Sequence, residues 1–243
     1  MKRSFERGPS DPRPIQFHRH FTDTTPGSVL ASFGRTRVLC TATAVDNVPK
    51  FLSGKGQGWV TAEYSMLPSS TGGGRKSRDR AGKVDGRSVE IQRLIGRSLR
   101  AVVDMKLLPE KTIWVDCDVL QADGGTRTTA ISGAYVALFD LLRSFNDKRL
   151  LREWPLKAQL AAVSVGVVNG KTVCDLDYGE DSNADVDMNI VATSAGQFVE
   201  VQGAAEGDTF SRAQLDEMLD IAMAGCERIF EEQRRALELE AQA

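Results

Sequence analysis

The stretch ADGGTRTTAISGAY at residues 122–135 has the residue types of an anion site, and it directly follows TIWVDCDVLQ, which alternates like a strand. A glycine pair lets the backbone approach a ligand, and the first N–H groups of a helix lack partners inside it. The helix dipole favours an anion there, and Arg127 adds a planar fork suited to phosphate or carboxylate oxygens. The alternative is an ordinary turn with a threonine cap and a surface arginine.

A second candidate site is the acidic segment DLDYGEDSNADVDMN at residues 175–189. In an extended chain Asp185 and Asp187 lie on the same face, and a turn at residues 182–184 would return Asp181 to that face. Two or three converging carboxylates suit Mg²⁺ or Mn²⁺, which also bind the phosphate oxygens of a substrate. The alternative is a solvated acidic loop.

Charge is segregated along the chain although the formal net charge is only −2. Residues 75–100 contain nine basic and three acidic residues, whereas residues 175–187 contain six acidic residues and no basic one. A basic segment suits a polyphosphate backbone, so the acidic pI does not exclude a nucleic-acid partner.

The composition indicates a soluble, cytoplasmic protein. Hydrophobic residues make up 41% of the chain, no apolar run is long enough to cross a membrane, and the N-terminus MKRSFERGPSDPRP has no hydrophobic leader segment. The four cysteines lie far apart without paired spacing, which argues against a zinc site or a disulfide framework and predicts reduced core thiols.

Hydrophobic periodicity predicts two similar halves. Each half begins with alternating runs joined by turns, such as the Asn169-Gly170 turn, and ends in a helical pattern. Predicted helices start near Ser88 and Thr126, and Ser211 with Gln214 predicts a capping box before a long C-terminal helix. We therefore expect an α+β fold with a diverged internal duplication, forming one domain over residues 1–243 with halves at about 1–150 and 156–240.

Three segments resemble one family: EIQRLIGRSLRA at residues 90–101, CDVLQADGGTRT at 117–128 and EDSNADVDMN at 180–189. Their order and spacing resemble those of the bacterial phosphorolytic exoribonucleases, RNase PH, over nearly the whole chain. The resemblance implies the RNase PH fold, which is like the second domain of ribosomal protein S5.

The resemblance also implies roles for individual residues. Inorganic phosphate would be held by Arg87 and the turn formed by Gly125, Thr126 and Arg127, with Arg127 also counted as catalytic. Asp181 and Asp187 would support catalysis with a divalent metal, Mg²⁺ by expectation, and Asp185 is a weaker candidate. The loop arginines that would guide RNA or contact a tRNA stem are Arg75, Arg78 and Arg80. Two departures from the family pattern are Ser69, where many relatives have arginine, and Asp85, where glycine is common.

The implied activity is phosphate-dependent trimming of the 3′ ends of tRNA precursors, a form of RNA processing that releases nucleoside diphosphates and runs backward by adding nucleotides from diphosphates. The implied assembly is a homohexamer, a trimer of dimers, that binds RNA and no membrane. Two alternatives stay open: a non-catalytic RNA-binding ring subunit, and a metal-dependent hydrolytic nuclease for which the paired carboxylates would suffice.

Overall fold

The computed structural model describes residues 3–76, 85–206 and 209–238. The strands are β1 (Ile15–Arg19), β2 (Gly27–Phe33), β3 (Thr36–Val45), β4 (Trp59–Met66), β5 (Thr112–Gln121), β6 (Leu160–Val168), β7 (Lys171–Cys174), β8 (Val186–Thr193) and β9 (Phe198–Ala205). The α-helices are α1 (Gly86–Val102), α2 (Thr126–Asp147), α3 (Tyr178–Asp181) and α4 (Arg212–Leu237). Short 3₁₀ helices occupy Ser4–Glu6, Lys50–Leu52 and Met105–Leu107.

The strands form two sheets, one in each half of the chain. The first has five strands in the order β1-β2-β3-β5-β4, and the second has four in the order β7-β6-β8-β9. All neighbouring strands are antiparallel except β4 and β5, which are parallel and are connected through α1. The expected α+β fold with two hairpin-and-helix halves is confirmed.

Helix α2 lies between the two sheets. Seventeen of its 22 residues are buried, so it has no wide solvent-facing side of the kind that a surface helix shows. Gly133 allows it to approach the first sheet closely, because a Cβ there would lie 2.7 Å from the Ala31 Cβ and 2.8 Å from the Cys40 Sγ. The same hydrophobic core includes Leu160 and Ala162 of β6. The N-terminus of α2 is therefore fixed relative to both halves.

Helix α4 covers the second sheet. Its predicted apolar stripe packs into a core with β6 and β8, and the predicted capping box between Ser211 and Gln214 is present. Phe33 of β2 also belongs to this core, so the two halves share packing. The four cysteines are free and buried, as expected. No helix within the described residues is long and apolar enough to span a membrane.

The strand that follows the predicted Asn169-Gly170 turn is short, because β7 ends at Cys174. Asp175 adopts a left-handed backbone conformation with φ of 54°, which aspartate tolerates better than most residues. At this bend the Asp175 side chain is fully buried.

Candidate active site

The turn before α2 leads into a helix start without a side-chain cap. Gly125 is the N-cap residue in the left-handed conformation, with φ of 60°, and no side chain in the described chain caps this helix. The hydroxyls of Thr128 and Thr129 donate back to the Gly125 carbonyl, each at 2.9 Å. The threonine cap of the alternative interpretation is therefore absent, whereas an ordinary turn stays a possible interpretation of this segment. The leading N–H groups of α2 keep their capacity to bind an anion.

Arg127 projects from this turn into a small polar network that joins the two halves of the chain. Its Nη1 donates to Gln202 Oε1 of β9 at 3.0 Å and to Glu90 Oε1 of α1 at 3.3 Å. Gln202 Nε2 also donates to Glu90 Oε1 at 3.0 Å. The pKa of Glu90 is lowered by this Gln202 hydrogen bond and by the positive charge of Arg127. Sequence reasoning missed both Glu90 and Gln202 as partners of Arg127.

Thr126 is buried beside Arg127 and binds a tyrosine of the first sheet. The Tyr64 hydroxyl donates to Thr126 Oγ1 at 2.8 Å. Because that oxygen is the acceptor, the Thr126 hydroxyl proton is available for another oxygen. Burial raises the pKa of Tyr64, although the charges of Arg87 and Arg127 act in the opposite direction. Both arginines therefore lie within electrostatic reach of this hydroxyl pair.

Arg87 lies in the first turn of α1, which begins at Gly86 rather than near Ser88. Asp85, the unexpected acidic residue, is its N-cap and accepts hydrogen bonds from the Arg87 N–H at 3.4 Å and from Ser88 Oγ at 3.1 Å. This carboxylate is engaged with the helix start. The Arg87 side chain is exposed and forms no hydrogen bond or ion pair within the described residues.

The two predicted metal-ligating aspartates lie in the second half of the chain. Asp181 is the last residue of α3, and Asp187 is half-buried in β8 opposite Gly166 and Ala204. Although the residue is exposed, desolvation of the Asp181 carboxyl and the negative charge of Asp187 raise its pKa, while Arg87 and Arg127 lower it. The charges of Asp187, Arg87 and Arg127 therefore all act on the Asp181 carboxyl.

Among the described residues, the metal hypothesis is limited to the two carboxylates of Asp181 and Asp187. Within the described residues no group of three or more His, Cys, Asp or Glu side chains is arranged to hold a metal. Asp185 therefore does not complete a three-carboxylate site, and its backbone instead bonds to Val167 O and Glu206 N. Mg²⁺ is commonly bound by one or two carboxylates, with water and substrate phosphates completing its shell.

The other three carboxylates of the acidic segment are neutralised by the N-terminal segment. Glu180 binds Arg3 Nε and Arg7 Nη2, each at 2.7 Å, and Asp175 binds Arg13 through both oxygens. Asp177 caps α3 by accepting from the Glu180 N–H at 3.0 Å, and it also accepts from Ser4 Oγ at 2.7 Å. We call Asp175, Asp177 and Glu180, with the arginines that bind them, the acidic clasp. Its pairings span up to 177 residues and left no sequence signal.

Comparison with known proteins shows the family of the chain. The model of domain 1 of the 3′ exoribonuclease family, RNase PH, matches residues 11–143, and the model of its domain 2 matches residues 158–225. The chain belongs to the 3′ exoribonuclease family. Both halves of this exoribonuclease-family chain, and the two sides of the candidate site, fall inside the matched ranges.

Solved structures share the fold at low sequence identity. Rice (Oryza sativa) Rrp46 is 18% identical, with a TM-score of 0.76 over 97% of this chain and 100% of that one. A chain of the Archaeoglobus fulgidus exosome with RNA bound to the active site is 20% identical, with a TM-score of 0.77 over 95% of this chain and 92% of that one. At these low identities, the similarity to the two solved structures shows only that this 3′ exoribonuclease-family chain shares their fold.

The predicted RNA-guiding arginines are only partly described. Arg75 is exposed in the segment after β4. Arg78 and Arg80 lie outside the described residues. Their role stays a prediction from the sequence of this family member.

Proposed function

We propose that this protein is a phosphorolytic 3′-5′ exoribonuclease that trims 3′ extensions of tRNA precursors and releases nucleoside diphosphates. The observation that carries the proposal is the uncapped start of α2 at Gly125, with Arg127 in its first turn, together with the charges of Arg87, Arg127 and Asp187 that act on the Asp181 carboxyl. A hydrolase needs the carboxylates but has no use for an anion site in the same place.

In the proposed phosphorolysis, one group of residues would bind phosphate and a second group would bind a divalent cation. Arg87, Arg127 and the N–H groups at the start of α2 would hold inorganic phosphate and reduce its repulsion from the anionic RNA backbone. A phosphate oxygen attacks the phosphorus of the last phosphodiester, the bond from phosphorus to the 3′ oxygen breaks, and the shortened RNA takes up a proton. The terminal nucleotide leaves as a nucleoside diphosphate.

Asp181 and Asp187 would hold the divalent cation, for which Mg²⁺ is the first candidate. A bound cation would offset charge on the scissile phosphate and on the leaving 3′ oxygen. Because a phosphoanhydride bond replaces the diester, the same site would add nucleotides to RNA from nucleoside diphosphates in the reverse reaction.

RNA would approach along the basic segment. Arg75, Arg78 and Arg80 are proposed to contact the backbone of the tRNA stem, and alanine at all three should weaken RNA binding and reduce its dependence on salt, because fewer counterions are released. An unchanged affinity and salt slope would remove the loop from the RNA path.

We further propose that the protein acts in the cytoplasm as a homohexameric ring, a trimer of dimers. The four free buried thiols support a reducing compartment. Sedimentation equilibrium should give six times the chain mass of 26.5 kDa. A fully active protein that sediments as a monomer or a dimer would contradict the proposed hexameric ring.

The deciding experiment incubates the protein with a 3′-extended tRNA and Mg²⁺, with and without phosphate, and separates the released nucleotides. We expect nucleoside diphosphates that appear only with phosphate. Release of monophosphates without phosphate would favour the hydrolytic nuclease. RNA binding without any release would favour the non-catalytic ring subunit.

A further inference from the structure

A buried ion pair lies directly beneath the proposed phosphate turn. Arg13 and Asp175 are 1% and 0% exposed. The Arg13 Nε and Nη2 donate to the two carboxylate oxygens of Asp175 at 2.8 and 2.7 Å, and the Arg13 backbone N–H donates to Oδ2 at 2.8 Å. The paired groups are fixed in one orientation, because a bidentate arginine and carboxylate pair constrains both planes.

The Arg13 guanidinium also binds the backbone of the turn. Nη1 donates to the Asp123 carbonyl at 2.5 Å and Nη2 to the Gly124 carbonyl at 3.4 Å. The buried Thr36 hydroxyl completes this support, since it donates to the Gly124 carbonyl at 2.6 Å and accepts from the Asp123 N–H at 3.0 Å. Pulling these carbonyls toward Arg13 fixes the peptide planes that precede the N–H groups of α2.

The turn is held at the same time against the segment that leads to Asp181. A Cβ on Gly124 would lie 2.5 Å from the Leu176 carbonyl oxygen and 2.8 Å from the Tyr178 nitrogen, so the two backbones are in direct contact. Asp175 is next to Leu176, and Asp181 ends the short helix that starts at Tyr178. One ion pair therefore connects both sides of the candidate active site.

We infer that Arg13 and Asp175 are positioning residues, which hold the phosphate-binding turn in the conformation that accepts phosphate and set its distance from the carboxylates of Asp181 and Asp187. This inference rests on the proposed function, and it concerns residues that touch neither phosphate nor RNA. Loss of the pair should affect the use of phosphate more than the binding of RNA.

The test compares Arg13→Lys with a matched control, Arg19→Lys. Lysine keeps the charge at residue 13 but cannot bind both Asp175 oxygens and two carbonyls together. Arg19 forms a similar bidentate pair with Asp140, at 2.8 and 2.9 Å, and donates to the Ala236 carbonyl at 2.9 Å. Asp140 lies about 20 Å along α2 from its first residue, so this control loses a comparable ion pair away from the turn.

We expect Arg13→Lys to raise the KM for phosphate about tenfold or more relative to Arg19→Lys, with the KM for RNA unchanged. Equal phosphate KM values for the two folded variants would overturn the inference. If Arg13→Lys does not fold, Thr36→Val removes the second support of the same carbonyl and should raise the phosphate KM severalfold. An unchanged value would again contradict the inference.

Amide hydrogen exchange separates this inference from the proposed function. If the wild type released no nucleotide with phosphate, the proposed function would fail, yet exchange in residues 123–129 would still test the support of the turn. Faster exchange there in Arg13→Lys than in Arg19→Lys supports the positioning role. Equal exchange in the two variants overturns it.

Discussion

The acidic clasp and the Asp181–Asp187 pair come from the same short acidic segment but have opposite environments. In the clasp, Asp175, Asp177 and Glu180 are bonded to arginines, a serine hydroxyl or the start of α3. In the described chain, no hydrogen bond or ion pair engages the carboxylates of Asp181 and Asp187. Arg87 and Arg127 form no hydrogen bond or ion pair with Asp181 in the described chain, but their positive charges act to lower its pKa.

The difference shows how one run of like charges can serve two purposes. A carboxylate that is paired and buried stabilises the fold, whereas an unpaired carboxylate beside another carboxylate keeps a raised pKa and can accept a cation. The signs of the pKa changes follow this division. The pKa of Asp175 is lowered, because Arg13 outweighs the opposing effect of burial, and the pKa of Asp181 is raised.

The largest effect on turnover is expected at the Asp181–Asp187 pair. Asp187→Asn removes one of the two proposed cation ligands, so turnover should fall by about a thousandfold or more while RNA affinity stays nearly unchanged. The measurement is nucleotide release at saturating Mg²⁺ with a parallel RNA-binding titration. Asp185→Asn is the matched control, because it removes a nearby carboxylate that belongs to neither group. Near-normal turnover in Asp187→Asn would contradict the assignment.

Substitution within the acidic clasp should lower the stability of the fold. Asp175→Asn leaves Arg13 buried without its counter-charge, so the free energy of unfolding at neutral pH should fall by about 3–5 kcal/mol. Because the folded pKa of Asp175 is lowered, the ionic stabilisation is present above its unfolded pKa of about 3.9 and is lost as pH falls through the folded value.

Urea unfolding at pH 7 and near pH 3 measures this change. The difference between wild type and Asp175→Asn should narrow at the acidic pH. A difference of equal size at both pH values would mean that the pair is not stabilised by charge.

A smaller effect is expected from Arg127→Lys, which keeps the positive charge at residue 127 but loses the planar guanidinium. The efficiency with respect to phosphate should drop roughly tenfold to a hundredfold, because a charge-assisted hydrogen bond is worth about 1.5–3 kcal/mol. A phosphate titration of nucleotide release measures it, with the exposed Arg93→Lys of α1 as the control. If both variants kept the wild-type phosphate dependence, the turn would be an ordinary helix start.

The smallest effect is expected from Glu90→Gln. Glu90 is 46% exposed, and its Oε1 lies 3.3 Å from Arg127 Nη1, where it would compete with the proposed phosphate for the guanidinium. Neutralising it should lower the phosphate KM by about two- to threefold, since exposed pairs are weak. The effect should disappear at high salt. A raised KM would mean that Glu90 orients Arg127 instead of competing for it.

Local sequence patterns were enough to predict the main elements and to select the candidate site residues. Strand alternation and the Asn169-Gly170 turn predicted the β6–β7 hairpin, and the Ser211 capping box predicted the start of α4. These signals depend on neighbours a few residues apart, so a single sequence contains them. The motifs also selected Arg87, Arg127, Asp181 and Asp187 as candidates, and the charges of the other three act on the Asp181 carboxyl in the folded chain.

Only the tertiary structure decided which carboxylates are paired with arginines and which have no cationic partner in the described chain. The six carboxylates of residues 175–187 look alike in sequence, yet Arg13 pairs with Asp175 from 162 residues away and Arg3 pairs with Glu180 from 177 residues away. Likewise, Gln202 and Glu90 reach Arg127 only because β9 and α1 meet beside the start of α2. A carboxylate's pKa depends on its burial and on the charges around it, and both are set by packing between distant segments.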